Sequence, residues 1–112
     1  IPFFGDGSTR RDYTYVADIV DGVVRALDRC AGYEIYNLGE SRTVSLSELV
    51  GAIESACGRK AILQRLPMQP GDVLVTCADV GKARARLGYA PATALEDGLL
   101  RFVDWYRGES AR

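Results

Sequence analysis

Apolar residues change period several times along the chain, and each change marks a predicted element. Ile1-Pro2-Phe3-Phe4 is a short apolar run closed by Gly5-Asp6-Gly7-Ser8, so it predicts a strand entering a turn. Residues 13–16 (Tyr-Thr-Tyr-Val) are rich in β-formers and predict a second extended stretch. From Asp18 the spacing becomes helical. Ile19, Val20, Val23, Val24 and Leu27 share one face, which predicts an amphipathic helix to about Arg29 with Asp18 as its N-terminal cap. Residues 33–38 (Tyr-Glu-Ile-Tyr-Asn-Leu) alternate ahead of Gly39 and predict a strand, its end tied to neighbouring backbone by the Asn37 amide.

Ser45-Leu46-Ser47-Glu48 has the form of a capping box, in which hydroxyl and carboxylate satisfy the first free amides of a helix. That helix buries Leu49, Ile53 and Ala56 and stops at Gly58. Residues 61–66 predict a strand closed by Pro67, residues 68–72 a loop, and residues 73–77 an extended segment. Asp79 caps a short helix ending at Leu87 before Gly88. Thr93-Ala94-Leu95-Glu96 predicts a further capping box, followed by a helix with Leu99, Phe102, Val103 and Tyr106 on its apolar face and fraying from Gly108 onward. Three to four helices alternating irregularly with three to four short strands predict an α+β fold with a small mixed sheet. No linker or repeat divides residues 1–112, so they form one domain.

Composition narrows the function. Hydrophobic residues make up 47% and charged residues 26%, enough for a packed core. Fourteen cations against 15 anions leave a net charge of −1, which argues against a nucleic-acid binder. Only Lys60 and Lys82 among the cations are lysines, and most of the arginines need no role beyond solvation. The absence of histidine excludes Ser-His and Cys-His catalysis within these residues and disfavours a zinc site. Cys30, Cys57 and Cys77 are odd in number and widely spaced, which predicts structural thiols in a reducing, cytoplasmic setting. No apolar run approaches the ~18–20 residues that span a bilayer. The chain opens without a Met, as expected of a fragment or a trimmed or processed chain.

The chemistry concentrates at the opening. Gly5-Asp6-Gly7-Ser8-Thr9-Arg10-Arg11-Asp12-Tyr13 delivers an arginine pair onto the start of a strand, and a guanidinium there offers a planar fork suited to phosphate oxygens. Asp12 beside Arg11 equally allows a structural ion pair. Taken with Val16-Ala17-Asp18, this run resembles the Gly-Asp-Gly … Arg-Asp-Tyr … Val-x-Asp pattern of extended short-chain dehydrogenases/reductases, the NAD-dependent epimerase/dehydratase family. Tyr36-Asn37-Leu38-Gly39, the Leu46–Glu48–Leu49 helix start, Pro70-Gly71-Asp72, Ala78-Asp79 with Lys82, Leu87-Gly88-Tyr89-Ala90-Pro91 and Phe102-Val103-Asp104-Trp105-Tyr106 follow in that family's order. Met68-Gln69-Pro70-Gly71-Asp72-Val73 is most similar to the UDP-glucuronate and UDP-glucose epimerases.

The resemblance implies the C-terminal, nucleotide-sugar-binding domain of a larger Rossmann-type α/β enzyme. It assigns Arg11 to the diphosphate of a UDP-sugar and Asp72 to the ribose. Gln69 stands where related epimerases can carry a phosphate-binding arginine. The family's chemistry needs a glycine-rich dinucleotide loop for NAD and a Tyr-x-x-x-Lys pair. Neither occurs in this sequence, so Tyr13 and Tyr15 read as core or pocket-lining aromatics and no catalytic or cofactor-binding residue is expected. Two functions follow: the UDP-sugar-binding portion of an epimerase or dehydratase whose NAD lies on another segment, inactive alone, or a free-standing binding module that self-associates through apolar surface left uncovered.

Overall fold

A computed structural model describes residues 1–110. The elements are β1 (Pro2–Phe4), β2 (Arg10–Arg11), α1 (Val16–Asp28), β3 (Val44–Ser45), α2 (Leu46–Cys57), β4 (Gln64–Leu66), α3 (Gly81–Leu87) and α4 (Leu95–Ser110). The fold is α+β. β1 pairs in parallel with β4, and β2 pairs antiparallel with β3. Arg10 also bridges Val75 in parallel, with its amide donating to the Leu74 carbonyl and its carbonyl accepting from Thr76. The predicted extended segment at residues 73–77 is thereby held against the other side of β2.

Local chemistry explains the helix ends. The Glu48 amide donates to the Ser45 hydroxyl at 3.1 Å and the Ser45 amide to the Glu48 carboxylate at 2.7 Å, so the predicted capping box forms. These bonds to the Ser45 amide and hydroxyl hold the Glu48 carboxyl below its ordinary range, with Arg10 adding to the effect. Gly58 and Gly88 end α2 and α3 in the left-handed region (φ 67° and 66°), where a Cβ is disfavoured.

Other predicted features move, each for a structural reason. The strand at residues 13–16 is replaced by β2, which starts three residues earlier, because Arg10 and Arg11 find ladder partners. Tyr15 is extended but serves as the N-terminal flank of α1, which starts at Val16. Asp18 therefore lies inside the first turn, and its carboxylate accepts the Ala92 and Thr93 amides instead of capping α1. Those bonds position the entry to α4, which starts one residue after the register that the Thr93-to-Glu96 box requires. Asp79 accepts the Gly81 amide at 2.9 Å while Val80 takes the cap position of α3. Residues 33–38 form no strand, since no described segment pairs with them, and Asn37 is exposed without a side-chain bond among the described residues. α4 continues through Gly108 to Ser110 where fraying is expected; the last two residues of that expectation lie outside the described ones.

The core is small. Val80, Ala83, Leu87 and Tyr89 form its buried cluster, with Ala26, Tyr36, Leu38 and Ala78 packed around it. α1 meets this cluster with its small residues: a Cβ on Gly22 would lie 2.7 Å from Leu38 Cδ2 and 3.0 Å from Tyr89 Cε2. Its valine face points away, with Val16, Val20, Val23, Val24 and Leu27 between 47% and 69% exposed. α2 packs on α4, where Val103 is buried, whereas Phe102 and Tyr106 of the predicted apolar face are exposed. Cys30 and Cys77 are also exposed and only Cys57 is partly covered, contrary to a structural role for all three thiols.

Candidate functional site

Two glycine-containing loops lie together at one end of the β1–β4 pair. The Gly5 amide donates to the Leu66 carbonyl, and the Gly5 Cα faces Met68 closely enough that an added Cβ would lie 3.8 Å from the Met68 Cβ. In the first loop, Asp6 accepts both the amide and the hydroxyl of Ser8. The Ser8 hydroxyl is the main cause that lowers the Asp6 carboxyl below its ordinary range. In the second loop, the Asp72 amide donates to the Gln69 carbonyl at 3.2 Å, with Pro70 and Gly71 (φ 82°) between them. Pro followed by a positive-φ Gly defines a type II turn. Gln69 and Asp72 are thus the two ends of one turn.

The adjacent arginines separate by role. Arg10 is occupied internally: its Nε donates to the Thr43 hydroxyl at 3.0 Å and its Nη2 to the Thr43 carbonyl at 2.8 Å, with Glu48 3.3 Å away. Arg11 reaches across to the second loop and donates from Nη2 to Asp72 Oδ1 at 2.7 Å, while Nη1 donates to the Arg10 carbonyl at 2.8 Å. The Arg11 and Asp72 side chains are 26% and 40% exposed, so the pair faces solvent. Its partner is Asp72 and not the sequence neighbour Asp12.

Asp12 has a different task that its sequence context does not reveal. Its carboxylate accepts the amides of Glu40 (3.0 Å), Ser41 (3.0 Å) and Ala78 (3.1 Å) and the Thr14 hydroxyl (3.3 Å). The Ser41 hydroxyl donates to the Ala78 carbonyl, and the buried Tyr89 hydroxyl donates to the Gly39 carbonyl. Gly39 is required at this junction, because a Cβ would fall 2.5 Å from the Ala78 Cβ. The knot fixes the strand carrying Arg11 relative to the chain that follows Asp72. Beside it, Glu40 has a buried carboxylate oxygen with no hydrogen-bond partner. Burial, then Asp18 and Asp12, raise its carboxyl above the ordinary glutamate range, against the opposing pull of Arg42 and Arg84.

Of the predicted site residues, the fold brings Arg11 and Asp72 into contact. It places Gln69 on the same turn, exposed, contributing its carbonyl to the turn bond. Tyr13 and Tyr15 line a separate apolar groove of about 290 Å³ together with Leu49, Leu95, Leu99 and Phe102. No helix of the described residues is long and apolar enough to cross a membrane.

Residues 1–102 match the GDP-mannose 4,6 dehydratase family. The chain belongs to this family. Relatives include the UDP-glucuronate 4-epimerase of Thermodesulfobacterium geofontis, 40% identical over 106 residues that cover 94% of this chain and 32% of the relative. A solved structure of Bacillus cereus UDP-glucuronic acid 4-epimerase with UDP-glucuronic acid and NAD superimposes with a TM-score of 0.87 at 33% identity, covering 96% of this chain and 35% of that one. Thermotoga maritima UDP-glucose 4-epimerase with UDP-glucose gives a TM-score of 0.89 at 31% identity, covering 97% and 35%. The chain thus spans about a third of the length of these family members.

Proposed function

We propose that this chain is the UDP-sugar-binding, C-terminal portion of an NAD-dependent nucleotide-sugar epimerase or dehydratase, and that it is inactive alone. The observation that carries this reading is the juxtaposition of Arg11 and Asp72, 61 positions apart in sequence and 2.7 Å apart in space. Arg11 supplies a fork for diphosphate oxygens, Asp72 supplies an acceptor for ribose hydroxyls, and Gln69 supplies a neutral amide donor on the same turn. Family members of this kind, named as UDP-sugar epimerases, agree with that ligand class.

NAD does not fit the residues present. The loop before α1 contains no glycine-rich dinucleotide motif, and no tyrosine is followed four residues later by a lysine. No chemical step is therefore assigned to this chain, whose share is to bind and orient the nucleotide end. The three unpaired thiols suit a cytoplasmic setting. Calorimetric titration with UDP tests the site: Arg11→Ala should weaken binding by about tenfold or more. Undiminished binding would overturn the diphosphate assignment.

The exposed valine face of α1 supports a second reading, a separate module that covers this face by self-association. Light scattering across a dilution series separates the two, since a dilution-stable monomer is incompatible with the second.

A further inference from the structure

Arg11 and Asp72 bond to each other here, whereas the proposed function has each of them bonding outward. Both backbones are fixed. Arg11 sits in β2, and the Asp72 backbone is held by the turn bond to Gln69, while the Val73 amide donates to the Asp72 side chain at Oδ1 (2.9 Å). The segment just beyond is pinned to Arg10 through Leu74 and Thr76. Only the side chains are left to rearrange, and both are partly exposed.

A carboxylate and a phosphate offer a guanidinium the same kind of oxygen acceptor. An incoming anion must therefore displace Asp72 from Arg11 or share the cation with it. Asp72 accepts hydrogen bonds but donates none, so once displaced it keeps only the Val73 amide and needs a donor in place of the guanidinium. A nucleoside diphosphate carries both halves of the exchange, phosphate oxygens for the arginine and ribose hydroxyls for the aspartate. A bare anion carries only the first and leaves the carboxylate facing its charge.

We infer that Asp72 is a specificity-determining internal competitor, which holds Arg11 until a ligand brings an anion and hydroxyl donors together. This rests on the diphosphate reading of Arg11 and adds to it a discrimination against inorganic anions. Partly exposed ion pairs are weak, so the exchange costs a hydroxylated ligand little and a bare anion up to about fivefold in affinity.

The test is titration of the full chain with inorganic pyrophosphate and with UDP, followed by amide chemical shifts, in wild type, Asp72→Asn, Asp72→Ser and Arg11→Ala. Asp72→Ser keeps an oxygen for the Val73 amide without the charge. Both Asp72 variants should bind pyrophosphate about three- to fivefold more tightly than wild type and UDP more weakly. Pyrophosphate affinity at or below the wild-type value in both, with UDP binding still lost in Arg11→Ala, overturns the competition and leaves the diphosphate reading standing. UDP binding indifferent to Arg11→Ala, or no response of wild type to either ligand at its solubility limit, overturns both.

Discussion

At the scale of single residues, the fold separates groups that the sequence presents as equivalent. Arg10 and Arg11 are adjacent, yet alternation along β2 sends one guanidinium to Thr43 and Glu48 and the other to Asp72. Asp12, next to Arg11, bonds backbone amides from two other loops. Its type and position were legible in the Arg-Asp-Tyr motif, but the amides it holds lie 28 to 66 positions away and no local rule names them. Glu40 carries a prediction at this scale. Its folded carboxyl titrates above the ordinary value of 4.5, so folding favours the protonated form. Its contribution to stability is full below that ordinary value and is lost as pH rises through the raised one. Glu40→Gln mimics the protonated state, so it should be more stable than wild type near neutral pH. The two proteins should converge in acid. Thermal melts across pH check this, and the depressed carboxyls of Asp6, Glu34, Glu48 and Glu54 cancel because both proteins share them.

At the scale of elements, legibility follows the range of the forces involved. The α2 cap, the glycine ends of α2 and α3 and the valine periodicity of α1 are set within one or two turns, and all are present in the structure. Removing the α2 cap with Ser45→Ala should cost about 1 kcal/mol, read as an earlier helical melt by circular dichroism. An unchanged melting curve would mean that β3 pairing alone holds the start of α2. Strands were less legible because a strand needs a partner. Residues 33–38 alternate as a strand does, but Tyr33 is 87% exposed and the segment has no ladder among the described residues. In contrast, β2 forms at two arginines with no β-forming pattern because Ser45 and Val75 flank it. The capping signature at Thr93 was overridden in the same way, by a carboxylate from α1 that holds the Thr93 amide.

At the scale of the molecule, the described residues form an open slab of 49 × 40 × 20 Å. Its radius of gyration of 16.6 Å exceeds the roughly 13 Å expected of a compact domain of this length. The α1 face and the unpaired segment at residues 33–38 border a shallow cleft lined by Val23, Leu27, Tyr36 and Leu38. If the separate-module reading holds, this surface is covered by a second copy, and the melting temperature should rise with protein concentration. Val20→Lys with Val24→Lys should abolish that dependence while preserving helix content, because both side chains point to solvent in one copy. A melting temperature independent of concentration in wild type would favour the larger-enzyme reading instead.

By itself, the sequence determined the α2 capping box, the glycine ends of α2 and α3, the Pro70-Gly71 turn, the α+β class and the kinds of side chain at the candidate site, because these depend on chemistry within a few residues. Only the tertiary structure decided that Arg11 meets Asp72, that Asp12 ties the loops together, and that the valine face of α1 lies open. Those outcomes depend on which distant segments share a sheet or a hydrogen bond, and that is settled by packing across the whole chain.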